Sequence, residues 1–285
     1  MKLSLSTGSL MPYPLRSIFA LAKEAGFDGL ELVLSAEVFF RGGEYVRCLV
    51  EEYEMPVLSL HPPIPAILCS DAHKVIPWQV ELARRLDCPV IVLHTPKATR
   101  WNAKAGRSYL ETVLAFRRQM EGSGIKLALE NRAFYTEKDR DFLLCDLRDL
   151  REFADRYDLA MVLDTSHVGT SLYELDEAWP LFDGRLANVH LSDVQEPMPF
   201  FSNMALLDAV LRYHQMPGEG RLPLADFLRS LAANAYQGPI TLEVTPFAMG
   251  TWWPPLVRRN LKKFMYYIRD ILSRGKACLA PTVKL

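Results

Sequence analysis

The chain has 285 residues, a formal net charge of -1 and 24% charged residues, which is the composition of an ordinary soluble globular protein. This balance argues against a broadly basic nucleic-acid-binding surface and against an anionic membrane as a partner. The five cysteines are an odd number without a CxxC pair, which argues against a disulfide framework and a thiolate zinc site. With no signal peptide and no apolar run of about 18 residues, we expect a cytoplasmic protein without a membrane partner.

Apolar runs of strand length alternate along the chain with stretches of helical spacing. The first helical stretch contains Leu15, Ile18 and Ala22 and is predicted to end at Gly26, since glycine readily follows a helix. Strands that alternate with helices indicate parallel pairing and right-handed crossovers. The strand-length runs are residues 2–6, 29–34, 56–61, 89–94, 125–130, 159–164, 186–193 and 239–244.

Eight strand–helix units in a chain of this length predict a (β/α)₈ barrel that spans residues 1–285 as a single domain. The alternative is an open, doubly wound sheet, which normally has a glycine-rich turn after its first strand. Here that turn reads TGSLMPYP and lacks the GxGxxG pattern, so the closed barrel is favoured.

Polar side chains that can bind metal stand at the ends of six of these runs. A barrel brings the carboxyl ends of its strands into one ring, so these side chains are expected to converge. Carboxylates buried together would repel one another, and a divalent cation would compensate them. Mixed imidazole and carboxylate ligands suit Zn, Mn, Co or Fe better than Ca, and Mg stays among the candidates for one or two ions per chain. The six residues are His61, His94, Glu130, Asp164, His190 and Glu243.

Four further residues are weaker candidates for the site. Arg132 and Arg221 are candidates for binding a phosphate or sugar acid group of a substrate, or alternatively form surface salt bridges. Asp193 is expected either to orient a ligand from behind or to cap a turn. Trp252 either covers the substrate or packs elsewhere. The apolar loops PMPFF and TWWPP favour a homodimer.

Seven short motifs follow one another along nearly the whole chain: LHPP, VLHTP, ALEN, LDTSH, NVHLSD, HQMPGEG and TLEV. In this order they resemble the xylose isomerase-like TIM-barrel superfamily. That superfamily includes sugar isomerases, ketose 3-epimerases and the endonuclease IV repair enzymes. In its sugar epimerases one divalent ion is bound by residues of strands 5 to 8. The resemblance implies the ligands Glu130, Asp164, His190 and Glu243.

The resemblance implies a divalent-metal-dependent isomerase or epimerase. Its substrate would be a small sugar, keto-sugar or related polyol or hydroxy-carbonyl compound, converted through a metal-stabilised enediolate. Glu130 and Glu243 would exchange the substrate proton, one removing it and the other returning it. His167 and His94 are the alternative bases.

The alternative is an endonuclease IV-like phosphodiesterase with several metal ions, and only this reading implies a nucleic-acid partner. It adds four histidines as ligands: His61, His94, His167 and His214. The chain departs from that branch at Arg212, where an aspartate is expected two residues before His214, and in the apolar segment QEPMPFFSNMALLDAVL. Both departures favour one or two ions over three, and sugar chemistry over DNA cleavage.

Overall fold

Eight parallel strands follow one another in sequence order around a closed barrel, and β1 pairs with β8 to close it. The computed structural model describes residues 1–63, 72–196 and 211–278. The predicted strands are confirmed to within two residues at each end. The strands are β1 Lys2–Ser6, β2 Gly29–Val33, β3 Val57–His61, β4 Val90–His94, β5 Lys126–Glu130, β6 Ala160–Asp164, β7 Leu186–Leu191 and β8 Pro239–Leu242.

Helices pack around the outside of the barrel through their apolar faces. The helix α1 ends as predicted, because Gly26 adopts the left-handed conformation with φ 88° and donates its N–H to the Ala22 carbonyl. The helices are α1 Leu15–Ala25, α2 Ala36–Tyr53, α3 Ala72–Arg85, α4 Lys104–Met120, α5 Leu147–Arg156, α6 Thr165–Val168, α7 Leu175–Phe182, α8 Leu224–Ala233, α9 Pro246–Met249 and α10 Pro254–Cys278. Short 3₁₀ turns lie at Thr7–Leu10 and Glu137–Asp141.

The barrel interior is divided into an apolar and a polar half. Side chains alternate between the interior and the helix layer along each strand. On β4, β5 and β6 the interior is filled by Val92, Ala128 and Val162, which pack together. The strands from β7 round to β3 instead place buried polar side chains at this level: Asn188, Thr241, Ser4, Glu31 and Ser59.

The (β/α)₈ prediction is therefore confirmed, and the open sheet is excluded by the pairing of β1 with β8. Within the described ranges, no helix combines the length and the apolar character needed to cross a membrane. Trp252 and Trp253 of the TWWPP loop are exposed. The PMPFF loop lies outside the described residues, and the homodimer stays a prediction.

Candidate metal centre

The metal-capable side chains lie at the carboxyl end of the barrel, as the strand pattern predicts. Each comes from a different strand, and the strand register keeps neighbours level. His94 pairs with Glu130 across β4 and β5, and Asp164 pairs with His190 across β6 and β7. Glu243 directly follows β8. Residues far apart in sequence thus face one centre because the strands are parallel and closed into a ring.

Four of these side chains form a tight cluster, which we call the four-residue group: His61, Glu130, His190 and Glu243. One potential ligand atom from each lies within 4.8 Å of the others. His190 Nδ1 is 2.7 Å from Glu243 Oε2 and 3.5 Å from Glu130 Oε1. His61 Nε2 is 3.5 Å from Glu130 Oε2. All four residues are buried.

A second cluster, the three-residue group, consists of Asp164, His167 and His214, whose ligand atoms also lie within 4.8 Å of one another. Asp164 Oδ1 accepts a hydrogen bond from the His167 backbone N–H at 2.8 Å and so caps α6. Asp164 Oδ2 lies 3.9 Å from His190 Nδ1 and 3.9 Å from His214 Nδ1. This oxygen therefore stands between the two groups.

The structure groups the side chains differently from the set that the family resemblance implies. His61 lies inside the tight cluster, whereas Asp164 faces it from the side at 3.9 Å from His190. Which of these residues bind an ion stays a prediction. His94 Nε2 is 3.1 Å from Glu130 Oε2 and 3.1 Å from His61 Nε2, so it adjoins the four-residue group.

The residues present fit a divalent cation. Among the metal-capable residues at the strand ends, four buried atoms make no hydrogen bond to any described residue: Glu130 Oε2, Asp164 Oδ2, His190 Nδ1 and Glu243 Oε2. Buried polar atoms normally have a hydrogen-bond partner, and leaving one without costs about 1–3 kcal/mol. The four atoms belong to the four ligands that the resemblance implies. Imidazole nitrogen and carboxylate oxygen are together typical ligands of Zn, Mn, Co and Fe.

The ionisable groups of the cluster shift one another's pKa. Burial raises the pKa of Glu130, but His94 and His190 outweigh it and hold that pKa well below its usual value. Burial likewise raises the pKa of Glu243, but His190 and His61 outweigh it and hold that pKa below its usual value. Burial lowers the pKa of His61, yet the carboxylates of Glu130 and Glu243 raise it to about 9. The carboxylates therefore favour positive charge at this centre, which a metal ion also supplies.

The pKa values of Asp164 and His190 are both raised. Burial raises the pKa of Asp164, and the neighbouring His167 and His214 offset only part of that rise. The pKa of His190 is lowered by burial but raised more strongly by Glu31, Glu243 and Glu130, so that it lies well above its usual value.

Backbone carbonyl groups orient two of the imidazoles. His61 Nδ1 lies 2.8 Å from the Pro62 carbonyl oxygen, and His167 Nδ1 lies 2.8 Å from the Asn131 carbonyl oxygen. Because a carbonyl can only accept, both Nδ1 atoms carry the proton in these contacts. When each ring is neutral, its Nε2 atom keeps a lone pair for an ion or a proton.

A cavity of about 400 Å³ opens next to the cluster, a size typical of sites for small molecules. Arg132 lies in its wall, where its guanidinium donates to Thr95 Oγ1 at 3.1 Å and to the Thr95 carbonyl at 2.8 Å. The described residues that line the cavity are His61, His94, Thr95, Lys97, Glu130, Asn131, Arg132, Ala133, Tyr135, Asp139, His167, His214 and Glu243.

Five predicted residues are not among the described residues that line this cavity: Asp164 and His190 of the buried ring, and the weaker candidates Arg221, Trp252 and Asp193. Arg221 donates to the Gly169 carbonyl at 2.7 Å. Trp252 is 63% exposed and packs on Phe247, with 5.1 Å between ring centroids. Asp193 accepts hydrogen bonds from the backbone amide of its neighbour Val194 and from three amides of the segment after His214, which is the bonding of a turn cap. The three amides belong to Gly218, Gly220 and Leu222.

Glu31 belongs to the site and was not predicted. It is fully buried on β2, and its Oε2 lies 2.8 Å from His190 Nε2. A charged residue in the middle of the apolar run GLELV was the available signal, because a buried carboxylate needs a partner. The strand-end pattern overlooks it, since Glu31 stands two residues before the end of its strand.

Comparisons with known proteins agree with the fold. The family model described as "Xylose isomerase-like TIM barrel" matches residues 19–265. An uncharacterized protein of Mycobacterium tuberculosis (strain ATCC 25618 / H37Rv) is 28% identical over 86% of this chain and 89% of its own. The fructoselysine 3-epimerase of Shigella flexneri is 20% identical, with 98% of both chains covered.

A solved structure described as a D-tagatose 3-epimerase-like protein has the same fold, with a TM-score of 0.71 and 21% identity. The similarity covers 98% of this chain and 100% of that chain. Since the family model matches most of the sequence, the chain belongs to the xylose isomerase-like TIM-barrel family.

Proposed function

We propose that the protein is a divalent-metal-dependent isomerase or epimerase of a small sugar, keto-sugar or related hydroxy-carbonyl compound. One observation carries the proposal: four residues at the carboxyl ends of four different strands turn buried atoms without hydrogen bonds to described residues toward one region. The adjoining cavity of about 400 Å³ suits a small molecule better than a nucleic-acid backbone. The similarity to a fructoselysine 3-epimerase over 98% of both chains supports this class of chemistry.

A divalent ion bound by Glu130, Asp164, His190 and Glu243 would supply a Lewis acid for adjacent carbonyl and hydroxyl oxygens. The protein's own contribution is to hold these side chains in place before substrate binds. His190 is held by Glu31, whose Oε2 lies 2.8 Å from His190 Nε2, and its Nδ1 lies 2.7 Å from Glu243 Oε2. Such preorganisation reduces the rearrangement that the reaction would otherwise require.

In the proposed reaction, Glu130 and Glu243 carry the proton. Both border the cavity, so a sugar bound there would present its C–H group between two carboxylates. One carboxylate removes the proton from the carbon next to the carbonyl, and the other returns a proton to the same or the neighbouring carbon. His167 is the alternative proton carrier. Its Nδ1–H donates to the Asn131 carbonyl, which leaves Nε2 of the neutral ring to accept a proton.

Two measurements test this function. Purified protein is loaded with Zn²⁺ or Mn²⁺, and bound metal per chain is counted by elemental analysis. The loaded protein is then incubated in D₂O with a panel of ketoses that includes D-tagatose, D-allulose and L-ribulose. We expect one or two ions per chain and deuterium at the carbon next to the carbonyl of at least one ketose. A protein that binds no divalent ion contradicts the proposal.

The second candidate is a phosphodiesterase, and the three-residue group is the observation that favours it. Asp164, His167 and His214 form a second cluster that can hold an ion beside the first, and paired ions suit phosphate ester cleavage. Three ions per chain, together with cleavage of DNA at abasic sites, would overturn the sugar assignment.

A further inference from the structure

Glu31 is a carboxylate in the middle of an apolar strand. It is fully buried on β2, between Leu30 and Leu32, and its side chain faces the barrel interior. Removing a carboxylate from water costs several kcal/mol unless hydrogen bonds and charges compensate it. A residue of this kind is retained only where the surrounding structure uses it or neutralises it.

Three donors converge on a single oxygen of Glu31. Oε2 accepts from Ser59 Oγ at 2.8 Å, from Asn188 Nδ2 at 3.2 Å and from His190 Nε2 at 2.8 Å. The contact with His190 crosses the barrel interior, because β8 and β1 separate β7 from β2 in the ring. Glu31 therefore approaches His190 from beneath the metal-capable cluster.

The network leaves the orientation of Asn188 little freedom. Because the Glu31 carboxylate can only accept, the Asn188 amide turns its N–H toward Glu31, and its Oδ1 accepts from Thr241 Oγ1 at 2.9 Å. A buried network of several linked hydrogen bonds holds its side chains in one arrangement. The Glu31 carboxylate is thus fixed in position relative to the His190 ring.

This arrangement determines which nitrogen of His190 carries its proton. A carboxylate is an acceptor, so Nε2 donates to Glu31, and in the neutral ring Nδ1 is left with its lone pair. Nδ1 is the atom that lies 2.7 Å from Glu243 and 3.9 Å from Asp164. It also makes no hydrogen bond to the described residues. The lone pair therefore points to the place where an ion would sit.

We propose that Glu31 is a positioning residue, which holds His190 in the Nε2–H tautomer and directs its Nδ1 toward a divalent cation. The inference depends on the metal site of the proposed function, but not on which sugar is converted. The carboxylate also increases the electron density of the ring, which strengthens the bond of Nδ1 to an ion.

The test compares zinc binding by the wild-type protein and Glu31→Gln, measured in competition with a chelating dye. The amide keeps the shape and one acceptor but removes the negative charge. We expect the zinc dissociation constant to rise by about 10–100-fold, the usual cost of losing such a partner. The matched control is Ser59→Ala, which removes another donor to the same Glu31 oxygen and leaves the His190 contact. Its zinc affinity is expected to change by less than about fivefold.

A second readout separates positioning from a general loss of structure. In ¹⁵N-labelled, zinc-loaded wild-type protein, two-bond ¹H–¹⁵N spectra of His190 should show a single tautomer with the proton on Nε2. In Glu31→Gln, whose amide can donate as well as accept, we expect at the same zinc concentration a second signal from rings that carry the proton on Nδ1 and therefore do not bind zinc through that atom. If Glu31→Gln does not fold, Glu31→Asp replaces it, because the charge stays while the oxygen withdraws by one methylene. Zinc binding about tenfold weaker than wild type is expected for that variant.

The outcomes distinguish the two proposals. If Glu31→Gln, or Glu31→Asp in its place, binds zinc as tightly as wild type and keeps a single tautomer, the positioning role is wrong while the metal site stands. If wild-type protein itself does not bind zinc, the proposed function fails, and the role of Glu31 fails with it.

Discussion

The four-residue group and the three-residue group lie side by side but differ in burial and in the number of carboxylates. In the first, the side chains of His61, Glu130 and His190 are at most 3% exposed. In the second, His167 is 15% and His214 is 18% exposed. Two carboxylates share the buried cluster, whereas the other group contains a single carboxylate and two imidazoles.

The surrounding protein leaves fewer buried polar atoms of the three-residue group without a hydrogen bond. His167 donates to the Asn131 carbonyl, Asp164 Oδ1 accepts from the His167 backbone, and His214 Nδ1 lies 3.3 Å from Ser192 Oγ. Three buried atoms of the four-residue group make no hydrogen bond to described residues, namely Glu130 Oε2, His190 Nδ1 and Glu243 Oε2, against one atom of the three-residue group, Asp164 Oδ2. Burial without hydrogen bonds is what makes a cation necessary. We therefore expect a first ion to occupy the four-residue group.

The sharpest test of this difference is to remove one histidine from each group in metal-free protein. His190→Ala leaves Glu31 and Glu243 buried without their partner, so we expect the free energy of unfolding at neutral pH to fall by about 3–5 kcal/mol. His214→Ala removes a partly exposed ring, and a loss of about 1 kcal/mol is expected. Urea denaturation in the presence of a chelator measures both. Equal losses would show that the two groups contribute equally to the stability of the metal-free protein.

Glu130→Gln tests whether a residue of the buried cluster also removes the substrate proton. We expect exchange of the substrate proton with solvent to slow by about 10²–10⁴-fold, the usual contribution of a general base. Zinc affinity is measured on the same variant, so that a lost ion is not mistaken for a lost base. His94→Gln, which alters a neighbour 3.1 Å from Glu130 Oε2, is the matched control, and a smaller effect is expected. Exchange that continues at the wild-type rate in Glu130→Gln would exclude it as the base.

The fold was predictable because its signal is local. Each strand is a short apolar run, and the runs ending at His61, Glu130 and Asp164 stop at the residue where the structure ends the strand. A barrel then places those ends together without further information. The ring of ligand candidates around the cavity follows from the same rule, which is why it was visible in the sequence.

Glu31 and the division into two groups were not predictable from this pattern. Glu31 meets His190 across the barrel, 159 positions away in sequence, and no linear spacing encodes that contact. The closer approach of His61 to the cluster, compared with Asp164, depends on side-chain direction: Asp164 Oδ1 is held by the N-terminus of α6. Such choices arise from packing and hydrogen bonds within the assembled barrel, so structure was required to reveal them.

Zinc should stabilise the protein through the buried cluster. At a free concentration 100 times the dissociation constant, binding adds about 2.7 kcal/mol to the free energy of unfolding. For a chain of this size that corresponds to a rise in Tm of about 4–5 °C, measured by thermal denaturation with and without zinc. His214→Ala should keep this rise and His190→Ala should lose it. The opposite result would indicate that zinc binds to the three-residue group instead.

The smallest expected effect concerns the support of His214 rather than either group itself. Asp193 is buried and accepts hydrogen bonds from the amides of Gly218, Gly220 and Leu222, which hold the segment after His214 in place. The packing is close, since a Cβ atom at Gly220 would lie 2.4 Å from Asp193 Oδ1.

Asp193→Asn keeps the shape but weakens charge-assisted hydrogen bonds, so we expect a loss of about 1 kcal/mol in urea denaturation. Zinc affinity should stay at the wild-type value, because the four-residue group has no hydrogen bond to Asp193 among those described. A clear loss of zinc affinity in Asp193→Asn would mean that the segment carrying His214 shapes the buried cluster as well, and the two groups would then have to be treated as one site.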